Sequence, residues 1–184
     1  HRSIGAVVPN RAPKLVADLG ALMVFDGDSG YGQPIVNAIM DIVAERAKQN
    51  GVAISTLRNS QHVGRIGAYG ERLAAQGLLS IHFVNAVYVQ ACVAPFRGSD
   101  ARLMTNPICI TLPMGADRPP IVLDFATSSI ALGKVRVAMN KGVEAPVNTL
   151  IDHKGQPTRD PRQIFHDPRG AIVPFGLHKG WGLA

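Results

Sequence analysis

Cysteine is scarce in this chain, with two residues among 184, Cys92 and Cys109. Neither has a second cysteine at C-x-x-C spacing, which argues against a structural zinc knuckle, a dithiol redox motif and a disulfide-stapled scaffold. Both sit in apolar surroundings, so each is expected as a buried free thiol in a reducing compartment. Aromatics make up only 5% of the residues, and the core has to rest on Val, Ile, Leu and Ala. No signal peptide and no apolar run of membrane-spanning length is visible, so a cytoplasmic location without a membrane partner is expected. The chain also lacks a G-x-G-x-x-G fingerprint, a P-loop and the G-x-S-x-G elbow of a hydrolase. Its histidines lack metal-ligand spacing: His62 and His82 are too far apart for one helix face, and His153, His166 and His178 have no matched acidic or sulfur partners. No metal site is expected.

What is present is a globular composition, 46% hydrophobic and 17% charged, long enough for one good-sized domain or two small ones. Gly 19 and Pro 13 imply many turns. The net charge of +6 comes from scattered Lys and Arg, with no basic run interleaved with aromatics. That pattern suits small anions better than nucleic acid. His1-Arg2-Ser3 opens without methionine, and Gly182-Leu183-Ala184 stops within what reads as the first turn of an apolar helix. The chain therefore reads as incomplete.

Residues 15–26 read as one or two strands ending at the Asp26-Gly27 turn. Residues 33–50 have helical spacing, with Ile35, Ile39, Ile42, Val43 and Ala47 on one face and Gly51 as the stop. Val52–Leu57 reads as a strand, residues 58–64 as a loop, Ile66–Gln76 as a helix stopped by Gly77, and Leu78–Val84 as a strand. The pattern weakens from Val87 to Asp100. Ile108–Pro113 and Ile121–Phe125 read as buried strands, followed by a helix from Thr127 to about Met139 with Thr127 or Ser128 near its cap. Residues 140–170 are rich in turn residues and are expected to wander across the surface. The alternation of helix and strand predicts an α/β layered domain.

His62 is the sharpest candidate for chemistry. It lies in a short loop after a strand and before a helix, between Ser60 and Gly64. An imidazole there can exchange a proton near neutral pH, or it can serve only to hydrogen-bond the loop. Gly64, Gly67 and Gly70 form a G-x-x-G-x-x-G spacing, with Arg65 beside the first glycine. Backbone amides and Arg65 could hold a phosphate, or the glycines could simply let helix and strand pack closely. Asp124 ends an apolar strand, where a carboxylate can accept from a ribose or cap a helix. Lys134 reads as a solvated charge, and His178-Lys179-Gly180 as a loop that opens a helix.

Taken together, Asp26-Gly27 through Gly32-Gln33, Arg58 through Gly67, Thr105-Asn106-Pro107, Val122 through Ser128, Gly133-Lys134, Pro157 through Pro161 and His178-Lys179-Gly180 resemble the malate/L-lactate dehydrogenase family. Within it they are closest to the hydroxycarboxylate dehydrogenase branch. The resemblance runs through nearly the whole chain in one order. It implies an α/β, non-Rossmann malate/L-lactate dehydrogenase-like fold and a homodimer with NAD or NADP as cofactor. Residues 1–60 would be part of the substrate and dimerisation domain. Residues 61–184 would be an NAD(P)-binding domain truncated at its C-terminal end. By the same resemblance His62 matches the acid/base histidine. Gly64, Arg65 and Ile66 match a cofactor-contacting turn, Val122, Leu123, Asp124, Phe125 and Ala126 a second cofactor segment, and His178 with Lys179 a third. The family's Ser-His-Gly motif near the N-terminus has no counterpart here, since Ser3-Ile4-Gly5 carries no imidazole. The activity implied is hydride transfer between NAD(P)H and a 2-oxo acid, or back from a 2-hydroxy acid. The alternatives are reduction of a cyclic imino acid with NADPH, and a non-catalytic α/β domain that binds an anion.

Overall fold

A computed structural model describes residues 7–86, 90–115 and 117–179. The chain divides into two compact units, each made of two segments. Unit 1 is residues 1–82 and 109–123, and unit 2 is residues 83–108 and 124–184. The expected boundary after residue 60 falls inside unit 1. Side chains on either side of it bind each other: Arg72 donates to the Asn37 carbonyl and pairs with Asp41.

Unit 1 begins with a hairpin, β1 (Lys14–Leu19) and β2 (Leu22–Asp26), so residues 15–26 form two strands. β2 then pairs in parallel with β3 (Ile54–Arg58), from Leu22 opposite Ile54 to Asp26 opposite Arg58. A parallel pair needs a crossover, and α1 (Gly32–Asn50) supplies it. Helix α1 ends, as the sequence predicts, at Gly51 in the left-handed region. Its buried stripe is Ile35, Ile39, Met40 and Ala44, while Ile42 is 40% exposed and Val43 and Ala47 are half-buried. The stripe is rotated from the expected one because α2 (Gly67–Ala74) packs against the Asn37–Asp41 side of α1. That contact draws Met40 and Ala44 inward and leaves Ile42 at the opposite edge.

A second three-stranded sheet has the order β4-β5-β6, formed by Ser80–Phe83, Ile108–Leu112 and Ile121–Phe125. Strand β5 is buried at Cys109 and Thr111, as expected. Strand β6 departs from the expected burial: Ile121 is 53% and Leu123 48% exposed. Burial alternates along it although its first three residues are all apolar: Ile121 and Leu123 face one side and are exposed, while Val122 and Asp124 face the other and are half-buried. Gly70 seats α2 against β5, since a Cβ there would lie 2.1 Å from Thr111 Oγ1 and 3.4 Å from Cys109 Sγ. For Gly70, close packing is the role the structure shows.

Unit 2 has α3 (Leu132–Lys141) and a small antiparallel sheet of order β8-β7-β9, formed by Pro157–Thr158, Leu150–Ile151 and Ala171–Ile172. Its core joins Cys92, Val93, Val135, Ala145, Leu150, Ile164 and Ile172. Residues 140–170 do run largely over the surface, as expected, but Ala145, Leu150, Ile151 and Ile164 tie them into the core. The strands are two residues long, too short for any alternation to show. A 3-10 turn, Pro161–Ile164, is capped by Asp160 Oδ1, which accepts from Arg162 N at 3.0 Å.

Helix α3 starts five residues later than expected, with Ala131 at its N-cap. Thr127 and Ser128 do not cap it. Thr127 Oγ1 donates to the carbonyls of Thr105 and Asn106, and Ser128 Oγ to that of Ile130. Both cysteines are free and buried, and burial pushes the Cys92 thiol up to about 11. Among the described residues no helix is long and apolar enough to cross a membrane. Part of the weak stretch, residues 87–89, and the C-terminal residues 180–184 lie outside the described residues.

Candidate active site

In unit 1 the parallel strands β2 and β3 end side by side at Asp26 and Arg58. In open α/β sheets the carboxyl ends of parallel strands are where ligands bind, because the connecting loops gather there. Asp26 fastens the two ends together. Its Oδ1 accepts from Asp28 N at 2.9 Å, and its Oδ2 from Asn59 Nδ2 at 2.8 Å and Arg58 Nε at 3.1 Å. These donors, the Asp28 amide first, hold its carboxyl below the usual carboxylate range. The backbones zip as well: Gly27 N donates to Arg58 O at 2.8 Å, Ser29 N to Asn59 O at 2.8 Å and Gln61 N to Gly30 O at 3.2 Å. The start of α1 then lies on the loop, with no room for a side chain at Gly32.

This framework presents His62, which is exposed. Gly64 N donates to His62 Nδ1 at 3.1 Å. The neutral ring therefore carries its proton on Nε2. Tyr69 Oη, from α2, donates to the Val63 carbonyl and pins the far side of the loop. Gly64 has φ +80° and packs on Gln33. Arg65 forms a two-pronged pair with Glu71, at 3.0 and 2.6 Å, and this lowers the Glu71 carboxyl. Any phosphate at Arg65 has to compete with that carboxylate. The Ile66 side chain is buried, so only its backbone can face a ligand.

Val122 is half-buried and Leu123 48% exposed, both on the unit 1 part of β6. In unit 2, Asp124, Phe125 and Ala126 are half-buried. The segment that follows them is zipped to the one that leads to His178. Ser129 N donates to Val173 O at 2.9 Å and Phe175 N to Thr127 O at 2.7 Å. The Phe125 and Phe175 rings meet with centroids 5.3 Å apart. The unit 2 part of the second expected cofactor segment, Asp124 to Ala126, thereby leads into the strand-like stretch that neighbours the third. His178 and Lys179 are exposed after the Pro174–Leu177 turn, and the His178 ring lies 5.6 Å from that of Phe96. Among the described residues no three His, Cys, Asp or Glu side chains converge as a metal site.

Sequence reasoning singled out His62 as a candidate but not the groups that hold its loop: Asp26, Gly32 and Tyr69. Asp26-Gly27 signals a turn, yet nothing local shows that its carboxylate reaches across to Arg58 and Asn59.

Comparison with known proteins bears on the chain as a whole. A family model described as malate/L-lactate dehydrogenase matches residues 2–184. An L-lactate dehydrogenase from Cupriavidus necator is 47% identical over 178 residues, which are 97% of this chain and 51% of that protein. Hydroxycarboxylate dehydrogenase B from Escherichia coli K12 is 44% identical over 182 residues, 99% of this chain and 50% of that protein. The crystal structure of a delta1-piperideine-2-carboxylate reductase from Pseudomonas syringae superposes with a TM-score of 0.89 at 35% identity, covering 99% of this chain and 53% of the other. The chain spans about half the length of the curated relatives it matches.

Proposed function

The chain belongs to the malate/L-lactate dehydrogenase family, and from that premise we propose that its protein transfers a hydride between NAD(P)H and a 2-oxo acid, yielding the 2-hydroxy acid, or runs the reverse reaction. The observation that carries the reading is His62, exposed on a loop fixed at the ends of two parallel strands with its Nε2–H turned outward from the Gly64 bond.

A nicotinamide dinucleotide, when bound, would supply the hydride chemistry. His62 Nε2–H hydrogen-bonds the carbonyl oxygen and draws charge towards it. Proton transfer to that oxygen comes from the imidazolium. In that form Nδ1 also carries a proton and gives up its bond from Gly64. In oxidation the same ring takes the hydroxyl proton.

The cofactor contacts proposed are Gly64, Arg65 and the Ile66 backbone on one loop, Val122 to Phe125 on β6 with Ala126 just after it, and His178 with Lys179. The residues suit a dinucleotide: Asp124 offers a carboxylate to ribose hydroxyls, Arg65 and Lys179 offer cations to phosphates, and the Phe125–Phe175 pair gives an apolar wall. A cytoplasmic homodimer acting on a small 2-oxo or 2-hydroxy acid is part of the same proposal. Its support is the family, together with two buried free cysteines.

A second substrate class is favoured by the likeness to the Pseudomonas reductase. A cyclic imine beside a carboxylate takes hydride at carbon as a carbonyl does, with the proton going to nitrogen instead of oxygen.

The test is loss of reduced-nicotinamide absorbance with NADH and NADPH in turn, against a panel of 2-oxo acids and one cyclic imino acid, using the protein with its native termini. Turnover that drops about 100-fold or more in His62→Ala supports the reading. A folded protein that turns over none of the pairs refutes it.

A further inference from the structure

Unit 2 contains a cavity of about 420 Å³ away from the His62 loop in sequence. Its wall is apolar, formed by Ala94, Pro95, Ile151, Val173, Pro174 and Leu177. Among the described residues the charged side chains that line it are Arg97 and Lys154, both positive, and no carboxylate does. Neither makes an ion pair among the described residues, whereas Arg102, Arg159, Arg162 and Arg169 of the same unit all do. The Arg97 guanidinium is instead held over the Phe96 ring, 5.2 Å from its centroid, a contact that orients the cation without neutralising it. The nearest acidic neighbour of Lys154 in sequence, Asp152, has its Oδ1 taken by the amides of Lys154 and Gln156, and its carboxyl is held below the usual range chiefly by the Gln156 amide, with the Lys154 charge a lesser cause.

The backbone marks the same place. Among the described residues, eight that are not glycine have positive φ, and five of these are Asn or Asp, which tolerate it. The other three are Ser29, at φ 58°, Arg97, at φ 65°, and Leu177, at φ 54°, and the last two line this cavity. Conformations that disfavour their own side chains persist where the surrounding fold imposes them, and such positions gather at ligand sites.

We propose that this cavity binds a phosphomonoester, its phosphate between Arg97 and Lys154 and its carbon body against the wall formed by Ile151, Val173, Pro174 and Leu177. Two lining cations, neither of them in an ion pair among the described residues, match a dianion better than a single carboxylate. Ser99, also in the lining, adds a hydroxyl donor. The proposal goes beyond hydride transfer and makes no use of His62. The 2′-phosphate of an NADP-type cofactor and a free alcohol phosphate share this chemistry.

Calorimetric titration of the protein with its native termini separates them, using 2′-AMP, phenyl phosphate and inorganic phosphate as probes. At least one monoester is expected to bind roughly tenfold or more tightly than inorganic phosphate. Arg97→Gln and Lys154→Gln, both surface changes checked for folding by circular dichroism, are each expected to weaken it by about tenfold. Arg102→Gln, whose parent side chain is paired with Asp100 on the surface, is expected to leave it unchanged. Binding of 2′-AMP alone supports the site as a cofactor subsite, and binding of phenyl phosphate supports it as a site for free monoesters. The proposal is overturned if inorganic phosphate binds as tightly as both monoesters, if neither monoester binds, or if the Arg97 and Lys154 variants change nothing. Monoester binding that persists in a protein with no turnover would defeat the dehydrogenase reading and leave this one standing.

Discussion

Gly32, the first residue of α1, lies against the backbone of His62: a Cβ at position 32 would stand 2.5 Å from the His62 carbonyl oxygen and 2.3 Å from that of Gln61. Both obstacles are main chain, so neither can swing aside as a side chain would. The helix that crosses over between the parallel strands is thus also the floor of the candidate catalytic loop. Gly32→Ala is expected to displace that loop and to cost about 1–3 kcal/mol of stability through overpacking. Thermal unfolding checks the stability, and kcat/KM should fall more than tenfold if the loop bears the chemistry. A variant with a lowered Tm but unchanged kcat/KM would separate His62 from the reaction.

Asp26 ties Asp28, Arg58 and Asn59 together, and its carboxyl is held below the ordinary value of 3.8. A group whose folded pKa is lowered contributes stability above its unfolded pKa and loses it as pH falls through the folded one. The difference in Tm between wild type and Asp26→Asn is therefore expected to be full at neutral pH and to shrink below about pH 4. A difference that grows on acidification would reverse the assigned sign.

Gly70 and Thr111 are coupled across the α2–β5 contact. Gly70→Ala places a methyl group on the buried Thr111 hydroxyl, and a loss of about 2 kcal/mol is expected in denaturant unfolding. Removing the obstructing hydroxyl in the double variant Gly70→Ala/Thr111→Val does not help, because valine keeps the same volume. Gly70→Ala/Thr111→Ala opens the space, and the pair should show a coupling energy of about 1 kcal/mol or more. Strict additivity would mean that the close contact is not what fixes glycine at this position.

Glu71 neutralises Arg65, the cation proposed to meet a cofactor phosphate. Both side chains are well exposed, so the pair is weakly held and can be exchanged for a ligand. Glu71→Gln should tighten nicotinamide dinucleotide binding severalfold at low salt, with the gain fading as ionic strength rises. Fluorescence titration of the reduced cofactor reads this directly. An unchanged Kd at low salt would remove Arg65 from the cofactor site.

Local pattern was enough for the long elements. The apolar spacing of 35–47 and the Gly51 stop place α1, the apolar run 121–125 gives β6 to the residue, and the glycine-flanked polar stretch 58–64 is the loop that carries His62. Each of these is written within a dozen or so neighbouring residues, where helix and strand periods differ. The order of motifs along the chain likewise sufficed for the family. What only the tertiary structure decided depends on residues far apart in sequence. Met40 and Ala44 are buried in place of Ile42 because α2 chooses one side of α1. Leu150, Ile151, Ala171 and Ile172 become core strands through one another, since two residues alone carry no period. Asp26 reaches Arg58 and Asn59, and Phe125 meets Phe175, across 32, 33 and 50 positions of chain. A sequence records which side chains are available, but burial and hydrogen bonding are settled by whichever distant segment reaches them first in the folded chain.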